Sequence, residues 1–184
     1  MRRIIAIAFM LLASALSTPS EADQTDPRLD ELFDKLQAAP DTRSAAPIEL
    51  AIWNIWVQHD DRVITTLMGQ GMAAMARRDY SSALRTFDQM VKLAPDFAEA
   101  WNKRATVHYL LGNYRESLAD IEKTLALAPR HFGALSGRGL VYIALEEEEK
   151  ALQSFEQALA VHPNMEGARQ NAEVLRKKVE GRPI

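Results

Sequence analysis

The residues best equipped for proton or metal chemistry are the four histidines, His59, His108, His131 and His162. A metal-binding helix of the H-E-x-x-H type needs two histidines one turn apart, so that both imidazoles face one ion. The intervals here are 49, 23 and 31 residues, and no such pairing exists. The chain has no cysteine, which removes thiolate nucleophiles, thiolate metal sites and disulfides. It contains neither a G-x-S-x-G turn nor a G-x-x-x-x-G-K loop, so no activated serine or phosphate cradle is predicted. Carboxylates abound, as in any acidic helical chain, and the formal net charge is only −3. No stretch is basic enough for a nucleic-acid footprint. The residues predict no catalytic, cofactor-binding or metal site, and no cofactor.

The organisation of the chain is more informative than its chemistry. Pro95, Pro129 and Pro163 follow one another at intervals of 34 residues. The same step links Leu67, Trp101 and Leu135, then Gly71, Ala105 and Gly139, then Phe87, Ile121 and Phe155. A fixed period of this length marks one supersecondary unit copied along the chain. The units are residues 64–97, 98–131 and 132–165. Each holds two apolar-periodic segments divided by a turn at Arg78-Asp79-Tyr80, Gly112-Asn113-Tyr114 or Glu146-Glu147-Glu148. Each proline stands just beyond a second helix, which it cannot continue.

The flanks differ. Met1-Arg2-Arg3, the apolar run Ile4 to Leu16 and the small residues before Asp23 have the order of a secretory signal peptide, with cleavage expected after Ala22. Residues 23–63 carry an acidic pair of helices. One starts at Asp26-Pro27, and the other runs from Pro47 to about Gln58, with apolar residues on two sides. This hairpin is expected to cover the N-terminal end of the stack, and at least one of Trp53 and Trp56 is expected to be buried. Residues 166–184 form a capping helix and tail, with Ala168, Ala172, Leu175 and Val179 on its one apolar face.

The units resemble tetratricopeptide repeats. Unit two has Trp101 at position 4, Ala105 at 8, Gly112 at 15, Tyr114 at 17, Ser117 at 20, Ile121 at 24 and Pro129 at 32. Unit three departs by lacking the turn glycine and the aromatic at 17, where Glu146 to Glu149 stand. The whole chain also resembles small exported repeat proteins of alphaproteobacteria. The resemblance implies an all-α solenoid of antiparallel helix pairs, whose concave face is lined by positions 2, 5, 9 and 12 of each first helix.

Carried onto this chain, those positions make Met68, Met72, Met75, Asn102, Thr106, Tyr109, Ser136, Leu140 and Ile143 the expected partner-binding residues. The methionines supply adaptable apolar contact and are either groove or core. Met68, Met72, Ser136 and Leu140 are not the basic or polar residues with which some relatives hold a carboxylate tail, so no such clamp is expected. Arg104 and Arg138 at position 7 either reach an anionic ligand or, as expected for Arg104 with Asp120, form structural pairs. His108 is expected in the core. The function implied is non-catalytic protein–protein interaction: a scaffold in the periplasm or outside the cell, binding a protein or peptide segment. A chaperone-like assembly factor and an accessory subunit of an envelope enzyme are the alternatives.

Overall fold

The computed structural model of the protein describes residues 23–181, and the expected signal peptide lies outside them. Among the described residues every regular element is a helix: α1 (Arg28–Ala38), α2 (Thr42–Trp56), α3 (Arg62–Ala76), α4 (Tyr80–Leu93), α5 (Ala98–Leu110), α6 (Tyr114–Leu127), α7 (Phe132–Ala144), α8 (Glu148–Val161) and α9 (Glu166–Glu180). Helices α3 to α8 are the three repeated pairs, and α9 packs on α8 with Ala168, Ala172 and Leu175 buried.

Within each pair a small residue faces a large one. A Cβ added to Gly71 would lie 2.5 Å from the Phe87 ring, and one added to Gly139 would lie 2.6 Å from Phe155. Both rings are completely buried. In the middle pair Ala105 and Ile121 share one cluster. The larger small residue meets the smaller partner, which keeps the combined side-chain volume of each pair similar.

The turns inside the units share one conformation. Arg78, Gly112 and Glu146 all have positive φ, at 58°, 77° and 61°. Glycine adopts this region freely, whereas a side chain costs about 1–2 kcal/mol there. Unit three therefore makes the family turn without the glycine, and Glu148 and Glu149 open α8, where the helix dipole favours negative charge. Helix α2 starts earlier than the Pro47 signal suggested. Asp41 accepts the Ser44 N–H at 2.8 Å and caps the helix from Thr42, which leaves Pro47 inside its second turn.

The N-terminal hairpin does not cover the end of the stack. It turns sideways onto units two and three, and its core of Phe33, Leu36, Ile52, Ile55 and Trp56 includes Phe132. The reason lies in the two candidate surfaces. The free face of α3 presents Arg62, Thr66 and Gln70 around the exposed Val63, a mixed surface with no aromatic residue. The start of α7 offers Phe132 and His131, both fully buried in the result. Trp56 is 2% exposed, and its ring stacks on His131 with centroids 4.0 Å apart.

Gly139→Ala should destabilise the protein by about 1–3 kcal/mol through overpacking against Phe155, although alanine is the better helix former. Gly69→Ala, with nothing within 4 Å of the new methyl, should stabilise by up to about 1 kcal/mol. Thermal melts of the two variants check the opposite signs.

Candidate functional site

Helices α3, α5 and α7 carry the nine residues expected to line the concave face, and the structure brings five of them together. Asn102, Thr106 and Tyr109 from α5 meet Ser136 and Leu140 from α7 around a cleft of about 240 Å³. Ile121, Gly133, Val141 and Met165 line it as well. The i, i+3, i+4 spacing of a helix puts Asn102, Thr106 and Tyr109 on one stripe. Some of the polar capacity is already used: Thr106 Oγ1 donates to the Asn102 carbonyl at 2.9 Å, and Asn102 Nδ2 donates to Glu99 Oε2 at 2.8 Å.

The other four expected residues lie elsewhere. Met68 is 4% exposed and belongs to the core between units one and two, with Phe87, Phe97 and Ala100. Met75 rests half-buried on the same core. Met72 is exposed but is not part of the cleft. Ile143 lines a separate depression with Val174 of α9. The methionine stripe thus splits between core and surface, because position 5 of the first unit turns inward against Phe97 and Ala100.

A buried charge cluster lies beside the cleft. Glu99 is 1% exposed, with Lys103 Nζ 2.7 Å from Oε1 and His131 Nε2 2.9 Å from Oε2. The His131 Nδ1 accepts the Ala134 N–H at 3.0 Å and so caps α7. With Nδ1 accepting, Nε2 is the ring nitrogen that donates to Glu99. Burial alone would push the Glu99 carboxyl up. Lys103 and His131 outweigh it and hold the group below its ordinary value of 4.5. Lys103 also lies 5.2 Å above the Trp53 ring. The second buried histidine, His162, faces Glu49 of α2 at 3.2 Å. His108 sits 14% exposed by its side chain, near Asn113 and Asp120. Among the described residues no three metal-ligating side chains converge.

Two profiles of the family described as tetratricopeptide repeat match residues 71–131 and 103–166. The chain belongs to the tetratricopeptide repeat family. A TPR repeat-containing protein of Rhizobium etli, an alphaproteobacterium, is 36% identical over 91 residues, which are 50% of this chain and 45% of that protein. The match thus spans less than half of the relative's length.

The first tetratricopeptide domain of Spaghetti (RPAP3), bound to an HSP90 peptide, superposes with a TM-score of 0.61 at 21% identity. It covers 63% of this chain and 92% of its own. The MamA protein superposes with a TM-score of 0.60 at 20% identity, over 82% of this chain and 80% of its own. At these identities the likeness concerns the fold.

Within the tetratricopeptide frame the position-7 arginines are stitches. Arg104 makes two hydrogen bonds to Asp120 of its own unit, at 2.7 and 2.6 Å, and one to Asp88 of the preceding unit at 2.9 Å. Arg138 repeats the arrangement with Ser154 at 3.2 Å and Glu122 at 3.1 Å, and adds Gln157. The expected Arg104–Asp120 pair is present and is shared with the neighbouring unit. The Glu99–Lys103–His131 cluster was not expected as a unit. Its sequence signal is Glu99 and Lys103 one turn apart, with His131 at the last position of the same repeat.

The cluster predicts a pH signature. Glu99 titrates lower in the folded chain than its ordinary value, so its stabilisation is present above about pH 4.5 and is lost as pH falls through the folded value. Glu99→Gln should lower stability at pH 7 by on the order of 2 kcal/mol. Denaturant titrations should show the gap to wild type narrowing below pH 4.5.

Proposed function

We propose that the chain is a non-catalytic adaptor that holds a short, largely apolar segment of a partner protein in the cleft between α5 and α7. The observation that carries this reading is the chemistry of the cleft wall. Ile121, Leu140, Val141 and Met165 offer apolar surface, and Tyr109 and Ser136 offer neutral hydroxyls. None of the lining residues is a lysine or arginine. The cations nearest by position are engaged within the chain: Lys103 with Glu99, Arg104 with Asp88 and Asp120, and Arg138 with Glu122.

The Spaghetti domain binds the peptide SRMEEVD, with three acidic side chains. A cleft without free cations suits a different ligand, because a desolvated carboxylate needs a charged partner. The cleft's modest size suits a contact of roughly micromolar affinity.

A crosslinking residue placed at Thr106 in the full chain, expressed in its own cells, should capture one defined protein. Leu140→Glu should weaken that capture at least tenfold, since it puts an unpaired charge into the cleft. Undiminished capture by Leu140→Glu would remove the cleft from consideration.

The site of action in this reading is the cell envelope. Its support is the charged start and apolar run of residues 1–22. Among the described residues no helix is long and apolar enough to cross a membrane. Mass measurement of protein recovered from the periplasm or medium should give a chain beginning at Asp23. An intact Met1 start in that fraction would overturn the proposed cleavage.

A further inference from the structure

Gly133 serves two surfaces. It lines the open cleft, and a Cβ on it would lie 2.6 Å from Cη2 and 2.9 Å from Cζ2 of Trp53. The hairpin therefore reaches the same face of α7 on which a partner would lie. Neighbouring positions show the same relation. Lys103 of α5 lies over the Trp53 ring, and His131 touches both Trp53 and Trp56. Met165 lines the cleft and also packs on the hairpin core.

The hairpin's attachments are those of a docked segment. Gln37 donates to the Ala160 carbonyl at 2.9 Å, Asn164 donates to the Ala39 carbonyl at 2.7 Å, and Glu49 meets His162 at 3.2 Å. The rings of Trp53 and Trp56 provide the apolar anchor, as buried aromatic residues do at interfaces between chains. The connection to α3 is only residues 57–61. Such a short tether keeps a segment at an effective concentration on the order of millimolar.

We propose that α2 is an intrachain occupant of the concave groove. It fills the half formed by Gly133, Lys103 and His131 and leaves the half formed by Thr106, Tyr109 and Leu140 open. A partner segment that fits the open half binds beside α2, and a longer one must displace Trp53 and Trp56. The hairpin thereby sets the length of segment that the groove accepts. This inference rests on the cleft being the binding face, but its test needs no partner.

The test is hydrogen exchange on the full chain, joined to a binding measurement with a synthetic peptide of residues 41–58. In wild type, α2 amides should exchange at least tenfold faster than those of α5 to α7, because the occupant leaves its seat without the stack unfolding. Gly133→Leu, which wedges the indole outward, should speed α2 exchange a further tenfold and leave α5 to α8 unchanged. The peptide should bind the double variant Trp53→Ala, Trp56→Ala at least tenfold more tightly than it binds wild type, whose groove is already filled in cis. Exchange of α2 in step with α5 to α7 in wild type would overturn the proposal and make the hairpin a fixed wall. So would absence of peptide binding by a folded double variant. Wild-type exchange needs no substitution, so a variant that fails to fold leaves the proposal exposed to refutation. Failure of the Leu140→Glu capture experiment would count against the partner reading and would leave these readouts unchanged.

Discussion

The fold depends on how closely two helices of one unit can approach. That distance is set by position 8 against position 24. With glycine at Gly71 and Gly139, the phenylalanine ring lies where a side chain would otherwise begin. With alanine at Ala105, isoleucine takes the place of the ring. The sum of the two side chains stays nearly constant along the chain. A solenoid needs this because each unit is the template for the next, and a wider pair would tilt every unit stacked after it. The proline period reports the length of the unit, while the matched pair sets its thickness.

Polar groups then fix the register of the units. Arg104 and Arg138 each hold the unit they belong to and the one before it. They are partly buried and would be costly without their acids. The bidentate fork to Asp120 defines direction as well as distance, which apolar packing alone does less well. The same commitment has a functional side. Arginines fastened between units are withdrawn from the groove, and Lys103, held by Glu99, is withdrawn too. The groove's neutrality follows from where the charges are needed for assembly.

The repeated part was legible because a period of 34 residues is carried by many positions at once. The helix pairs, the capping helix at Glu166–Glu180 and the Arg104–Asp120 pair could all be read from spacing. The flanking part was less legible. Pro47 is a strong helix-start signal, yet Asp41 with Ser44 caps the helix earlier, and proline is tolerated near a helix start. Met68 stands at a groove position of the repeat but belongs to the core that includes Phe97 and Ala100. The seat of the hairpin could not be read from periodicity. Helix α2 is apolar on two sides, and the choice between the mixed face of α3 and the aromatic start of α7 is made by contacts far apart in sequence.

Those distant contacts alter how the molecule should come apart. In a simple repeat array each unit touches only its neighbours, so the ends fray while the middle persists. Here Asn164 is bonded to Ala39 and His162 faces Glu49, joining residues more than a hundred positions apart. The line of units is closed by a clasp that spans most of the chain. While the clasp is shut, the last unit is held at its end by the first helices, and its fraying waits for the clasp to open. That protection carries a kinetic cost, since long loops must close before the clasp forms. Synthesis from the N-terminus delivers the hairpin first and its seat last. The hairpin would then wait unpaired until the third unit had folded.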